Sequence, residues 1–187
     1  MKKLISLLCL SLCCFAASAQ PTSIGGITPG KTTGPELYGI ATMADFRRNQ
    51  DTWLMTLSQL ENRSAFVSIA NGVVYAVEMY ASDELRQALV AKYGEPQIKV
   101  GKINTVTCQN QFGATFKRYE GEEHRLWPVK DGVQGGIESY TERECSEEIS
   151  KRYVLRHVPT VEAMKEKKED EARRQAENRR SKLGDAL

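Results

Sequence analysis

Two runs of β-favouring residues joined by Asn71-Gly72 constrain the fold of this chain more than any other feature. Residues 65–70 and 73–80 are rich in branched and aromatic side chains, and Asn-Gly tolerates the positive φ angles of a type I′ turn. The pattern therefore predicts a β-hairpin, and with it an antiparallel sheet. Alternate residues of a strand share a face. We predict that the core face of the second strand carries Val73, Tyr75, Val77 and Met79, and that the opposite face carries Val74, Ala76, Glu78 and Tyr80.

Two segments are predicted to be short helices. Over residues 82–96, Ser82 can cap the first turn, Gly94 can end the helix and Pro96 prevents its continuation. Apolar residues at helical spacing predict an earlier helix over 35–44.

The rest of the chain up to residue 158 is typical of antiparallel sheet. Alternating apolar and polar residues favour a strand within 46–60, although Leu54 and Leu60 would also suit a helix. Further strands are predicted at 97–100, 104–108, 124–129, 134–144 and 149–158. We therefore predict a single α+β domain over residues 20–158, with a mostly antiparallel sheet and two short helices.

Residues 159–187 differ in kind from this domain. Charged residues dominate, and opposite charges lie four positions apart in pairs such as Lys165–Glu169 and Asp170–Arg174. The pattern predicts a solvated charged helix or a disordered tail. A helix that binds a partner is the alternative, although its apolar stripe is narrow.

The N-terminus predicts export. Lys2-Lys3, an apolar run from Leu4 to Phe15 and an Ala-x-Ala ending at Ala19 form the signature of a signal peptide over residues 1–19, and the run is too short to span a bilayer. Lipid anchoring is disfavoured because no small residue precedes Cys13 or Cys14. Removal of two lysines from the 26 basic residues leaves 24, equal to the 24 acidic residues. This balance gives no electrostatic case for nucleic acid as a partner, and the expected location is the periplasm.

Cys108 and Cys145 are the two cysteines that follow the predicted signal peptide. An even number of cysteines in a protein of an oxidising compartment predicts one disulfide bond between them. A reactive thiol or a metal-binding pair is the alternative.

Residues 25–32 match the phosphate-loop pattern G-x-x-x-x-G-K-[ST], with Lys31 and Thr32 at its end. A nucleotide site of this kind needs a buried strand before the loop, and residues 20–24 are too few and too polar to form one. The segment instead predicts a Pro29-Gly30 turn followed by a capped helix start.

No catalytic, metal or cofactor site is predicted. His124 and His157 have no short metal-ligand spacing, and the acidic residues lie mostly in charged clusters, with Glu78 the carboxylate in the most apolar setting. Aromatic residues commonly anchor interfaces. The candidate partner-binding aromatics are Trp53, Tyr75, Tyr80 and Trp127, for which a place in the core is the alternative.

Two short motifs resemble small exported bacterial domains of the outer-membrane-assembly lipoprotein and β-lactamase-inhibitor-like type. They are Gly26-Ile-Thr-Pro-Gly-Lys-Thr-Thr, followed by Glu36-Leu37, and the helix-ending Tyr93-Gly-Glu-Pro96. The chain departs from that pattern in lacking a convincing lipidated cysteine. The resemblance implies an α+β domain that binds another protein, with no catalytic residues to transfer.

The sequence thus favours a periplasmic, non-enzymatic protein that binds another envelope protein, in envelope assembly or as an inhibitor or immunity factor. The alternative is a periplasmic hydrolase whose carboxylate or histidine site is unidentified. We expect no cofactor and no transmembrane span.

Overall fold

The computed structural model describes residues 19–141, 145 and 149–184. For residues 45, 46, 141, 149 and 181–184 it describes the backbone alone. The predicted signal peptide lies, except for Ala19, outside these residues. The elements in chain order are α1 (Gly34–Tyr38), β1 (Ala41–Arg47), β2 (Thr52–Leu57), a 3₁₀ turn (Ser58–Leu60), β3 (Arg63–Ala70), β4 (Val73–Tyr80), α2 (Asp83–Tyr93), β5 (Ile98–Gln109), β6 (Thr115–Leu126), β7 (Val133–Thr141), β8 (Ile149–His157) and α3 (Val158–Gly184).

The described strands form one eight-stranded sheet in the order β1-β2-β3-β4-β8-β7-β6-β5. Every neighbouring pair is antiparallel. The first four strands and the last four are two meanders, and α2 links them so that β4 and β8 meet at the centre. The predicted α+β class with an antiparallel sheet and a C-terminal helix is confirmed.

The predicted hairpin forms, but a bulge changes which of its residues are buried. Asn71 and Gly72 have φ of 51° and 77°, as a type I′ turn requires. Ser68 pairs with Ala76 and the next residue, Ile69, pairs with Val74, so Tyr75 is an extra residue on β4. A bulge of one residue moves the side chains before it to the other face.

The predicted core face is therefore right for only half of β4. Val77 and Met79 are buried, as expected, but Val73 and Tyr75 are only half-buried. Val74, which the alternation assigned to the opposite face, has no exposed surface.

The first predicted helix is shorter than its apolar spacing suggested. Thr33 and Glu36 form a capping box that fixes the start of α1, and Gly39 is its C-cap. The prediction that helix extends to residue 44 is wrong, because Ala41 already pairs with Leu57 of β2. The second helix forms as predicted, with Ser82 as N-cap and Gly94 as C-cap.

In the second meander the two strands predicted at 97–100 and 104–108 are one strand, and β6 begins well before residue 124. Glycines allow this continuity where the two strands approach closely. Gly101 and Gly121 have φ of 80° and 110°, and a Cβ atom on either would collide with a carbonyl oxygen of the facing strand.

The core lies between one face of the sheet and the segment 24–37 together with α2. Its largest fully buried side chains are Trp127 and Tyr153, which meet edge to face with ring centroids 6.4 Å apart. Leu37 of α1 and Leu89 of α2 close the core from outside the sheet.

The charged C-terminal segment is helical as far as Gly184, and residues 165–180 are exposed throughout. The prediction of a solvated helix is confirmed for this part of the tail. Among the residues that the structure describes, we find no helix with the length and apolar character needed to cross a bilayer.

Candidate functional site

The two faces of the sheet differ because α1 and α2 pack on only one of them. We call the other the open face; it consists of the side chains that alternate with the core residues. One row of directly paired positions crosses seven strands on it: Leu54, Phe66, Glu78, Val154, Gly136, Leu126 and Ile98. The adjacent row contains Tyr80, Arg152, Glu138, His124 and Val100.

Glu78 lies at the centre of the open face and contacts three arginines. Its Oε2 is 2.8 Å from Arg48 Nη1 and 3.5 Å from Arg152 Nη1, while its Oε1 is 3.9 Å from Arg156 Nη2. The Glu78 side chain is only 19% exposed, so burial weakens the solvation of its charge and the arginines compensate for it. Both carboxylate oxygens therefore face guanidinium groups.

Arg156 links this cluster to a second carboxylate. Its two terminal nitrogens donate to the two oxygens of Glu138 at 2.6 and 3.2 Å, the bidentate geometry that suits a guanidinium. His124 Nδ1 lies 3.1 Å from Glu138 Oε1. The charged groups of β4, β8, β7 and β6 thus form one continuous network.

Aromatic rings hold two of the arginines in place. The guanidinium carbon of Arg48 lies 3.5 Å from the centre of the Phe66 ring, and that of Arg152 lies 4.8 Å from the centre of the Tyr140 ring. Stacking of this kind orders a side chain that is otherwise mobile. Arg48 and Arg152 therefore each contact both Glu78 and an aromatic ring.

A pocket of about 260 Å³ opens on this surface. Leu54, Phe66, Tyr80 and Tyr140 contribute apolar surface to its lining, Glu78 and Arg152 contribute charge, and Ser64 and Ser150 contribute hydroxyl groups. Tyr80 is 69% exposed and stands at the rim. Apolar walls with a few convergent polar groups are typical of binding pockets, and exposed aromatic side chains are typical anchors at interfaces.

Two of the four candidate partner-binding aromatics lie on or beside the open face. Tyr80 belongs to the pocket just described. Tyr75 is half-buried and lines a separate pocket with Val161 and Met164 of α3, and it donates its hydroxyl to Asp51 Oδ2 at 2.7 Å. Burial, with a smaller effect from the bond to Asp51, raises the pKa of Tyr75 to about 12.

The two tryptophans lie elsewhere. Trp53 packs against the core from β2, with the Arg47 guanidinium 4.7 Å from the centre of its ring. Trp127 is 1% exposed and donates its indole N–H to the Gly94 carbonyl at 3.0 Å. The assignment of Trp127 to a binding surface is therefore corrected: it is a core residue that fixes the end of α2.

The histidines lie in different settings. His124 belongs to the charged network of the open face. His157 ends β8, and its Nδ1 is 2.8 Å from Thr160 Oγ1 in the first turn of α3. The ring of His157 also lies close to Gly30 and Gly132, where an added Cβ would meet it. His157 therefore packs between the turn at Gly30, the turn at Gly132 and the first turn of α3.

Residues 25–32 form a structural turn, as their sequence context predicted. The Gly30 N–H donates to the Val74 carbonyl on the antiparallel sheet at 2.8 Å. The hydroxyl of Thr32 is used internally, because it accepts from the Thr28 N–H at 2.8 Å. The helix that follows has only five residues, so the architecture of a phosphate loop is not present here.

Cys108 and Cys145 form the predicted disulfide, with Cα atoms 5.8 Å apart. Glu120 lies near both sulfur atoms, and its Oε1 accepts from the Cys145 N–H at 3.3 Å. A metal would need thiolates, which a disulfide does not offer, so this cluster is a cross-link.

Sequence reasoning found Glu78 and Tyr80 but missed the residues that surround them. Arg48, Phe66, Tyr140 and Arg152 come from four separate segments. The available signal was the alternation of β8, where Arg152 and Arg156 alternate with the core residues Tyr153 and Leu155 and so point away from the core. Comparison with protein-family models, with curated proteins and with solved structures finds no match, so nothing about this site is transferred from a relative.

Proposed function

We propose that this chain is a non-enzymatic periplasmic protein that binds another envelope protein through its open face, in envelope assembly or as an inhibitor or immunity factor. The observation that carries the proposal is the exposed Tyr80 at the rim of an aromatic-walled pocket that Glu78 and Arg152 also line. The export signature and the Cys108–Cys145 bond support an oxidising compartment.

The form of the pocket favours recognition of a side chain. Phe66 and Tyr140 each stack on an arginine that also contacts Glu78. A partner side chain that enters would meet rigid rings and charged groups already in position, which lowers the entropy cost of binding. An aromatic or aliphatic anchor with a hydrogen-bonding end fits this lining.

The contacts of the carboxylates support binding over catalysis. A general acid or base needs a free oxygen directed at a substrate. Both oxygens of Glu138 accept from Arg156, and Oε2 of Glu78 accepts from Arg48 and Arg152, while its Oε1 lies 3.9 Å from Arg156.

Removal of the Tyr80 ring tests the proposal. Protein beginning at Gln20, with its disulfide formed, is immobilised and exposed to periplasmic extract, and captured proteins are identified by mass spectrometry. Tyr38→Ala is the matched control, because Tyr38 is 67% exposed but lies on α1, away from the open face. We expect one protein to be captured by the parent chain and by Tyr38→Ala and to be lost, by tenfold or more, with Tyr80→Ala. Equal capture by both variants, or capture of nothing by the parent chain, would contradict the proposal.

The hydrolase alternative would use the His124–Glu138 pair, in which the carboxylate could orient the imidazole. We place it second because Arg156 also holds that carboxylate. A His124→Gln variant that loses hydrolysis of a panel of ester, amide and glycoside substrates, measured against a hydrolytically active parent protein, would reverse this order.

A further inference from the structure

A second cleft lies on the helix-covered side of the sheet, away from the open face. It has a volume of about 270 Å³ and lies between α2 and the strands β5 to β8. Its floor is a row of directly paired residues, Lys151, Ser139 and Glu123, and the fourth member of that row is Gly101, which adds no side chain. We call it the helix-side cleft.

Arg86 lines this cleft from α2. Its Nε is buried and has no hydrogen-bond partner in the part of the chain that the structure describes. Buried donors are almost always paired, because leaving one unpaired is unfavourable. Because Nε has almost no accessible surface while the cleft is empty, any bond from Arg86 to a ligand in the cleft would come from its terminal guanidinium nitrogens.

The charges in and around the cleft favour an anion. The cations are Lys99, Arg86, Arg125 and Lys151, and the carboxylates are Asp83, Glu95 and Glu123, which gives four positive against three negative groups. Glu123 is already held by Lys99 and Arg125, each at 2.6 Å, and these bonds lower its pKa. Asp83, 3.5 Å from Lys151, and Glu95 are exposed. By these pairings the excess positive charge lies with Lys99 and Arg125, which share Glu123. Arg86 and Lys151 are balanced in number by Glu95 and Asp83, whose carboxylates are exposed to solvent.

The remaining walls are apolar. Pro96, Ile103 and Ile137 line the cleft opposite the charged groups. Its volume is just below the range of roughly 300–1,000 Å³ that is usual for drug-sized ligands. A ligand of about the size of one amino acid fits this space.

We propose that the helix-side cleft binds a carboxylate that carries a short apolar group. The carboxylate accepts from Arg86, Ser139 and Lys151, and the apolar group contacts Ile103 and Ile137. This chemistry occurs in free short-chain carboxylic acids and in the C-terminal residue of a peptide.

The test uses four probes with protein that begins at Gln20. 4-Methylpentanoate and its neutral amide separate charge from shape, and acetyl-Gly-Leu with a free or an amidated terminus presents the same groups on a peptide. Binding is followed by amide chemical shifts in ¹H–¹⁵N spectra. We expect both carboxylates to shift the amides of Arg86, Ser139 and Lys151, and both amides to bind at least tenfold more weakly.

Variants locate the ligand. Arg86→Gln removes the guanidinium and its positive charge and should weaken carboxylate binding at least tenfold. Lys92→Gln removes a charge from the same helix outside the cleft and should leave binding unchanged. If Arg86→Gln fails to fold, Ser139→Ala and Lys151→Gln make the same test.

Tighter binding of the free-terminus peptide than of 4-methylpentanoate would assign the cleft to chain termini, and the reverse would assign it to free acids. Equal binding of carboxylates and amides, no shifts at the cleft, or full binding by Arg86→Gln would overturn the proposal.

Discussion

Replacement of both cysteines by serine should destabilise the protein by about 4 kcal/mol. The Cys108–Cys145 bond joins positions 37 residues apart. In the chain-entropy model a cross-link over this length restricts the unfolded chain by about 13 cal/mol/K, which is about 4 kcal/mol at 25 °C. Single domains have a total stability of roughly 5–15 kcal/mol, so the loss is a large part of the whole.

The folded state should tolerate this change. The Arg118 Nε donates to the Cys145 carbonyl at 3.1 Å, and the Cys145 N–H donates to Glu120. These two bonds hold residue 145 against β6 without the sulfur atoms. The free-energy difference should therefore arise mainly in the unfolded chain.

Urea unfolding followed by far-ultraviolet circular dichroism measures the effect. We expect the double Cys→Ser variant to keep the parent spectrum, to unfold at lower urea and to have a larger m-value, since its unfolded chain exposes more surface. The melting temperature should fall by about 8–16 °C at roughly 2–4 °C per kcal/mol. Reduced parent protein serves as the control and should match the variant. A loss below about 1 kcal/mol with an unchanged m-value would refute the entropy argument.

Two further predictions concern single side chains. In the same urea experiment, Trp127→Phe should lower the free energy of unfolding by about 2 kcal/mol, roughly half from the lost hydrogen bond to the Gly94 carbonyl and half from lost side-chain volume. Trp53→Phe should lower it less, because Trp53 is only partly buried. Equal losses would contradict the assignment of Trp127 to the core. Burial raises the pKa of Tyr75 to about 12, so its stabilising contribution is complete below the unfolded value of about 10 and is lost as the pH rises towards 12. Unfolding free energies measured across this range should therefore fall less steeply for Tyr75→Phe than for the parent, and parallel profiles would show that Tyr75 does not titrate differently in the two states.

Local signals predicted the elements whose ends are fixed by neighbouring residues. Asn71-Gly72 fixed the hairpin turn because its positive φ angles are available to few residues. Ser82 and Gly94 fixed the ends of α2 through hydrogen bonds within a few positions of the helix. The disulfide was predictable because only two cysteines follow the signature of export.

Tertiary contacts decided what these signals left open. Alternation along β4 predicted Tyr75 in the core, but pairing with β3 placed a bulge there and put Val74 inside. The apolar spacing of residues 35–44 predicted a longer helix, but pairing with β2 made Ala41 the start of a strand.

By itself the sequence determined that the chain builds an antiparallel sheet with a capped helix and a cross-link, because each depends on residues close together in the chain or on one pair of cysteines. It left the charged C-terminal segment open between a solvated helix and a disordered tail. Only the tertiary structure decided where the candidate sites lie. The contact of Glu78 with Arg152 joins residues 74 positions apart, and the cleft around Arg86 draws on α2 and four strands. Such contacts depend on strand order and register, which a single sequence does not encode in any local pattern.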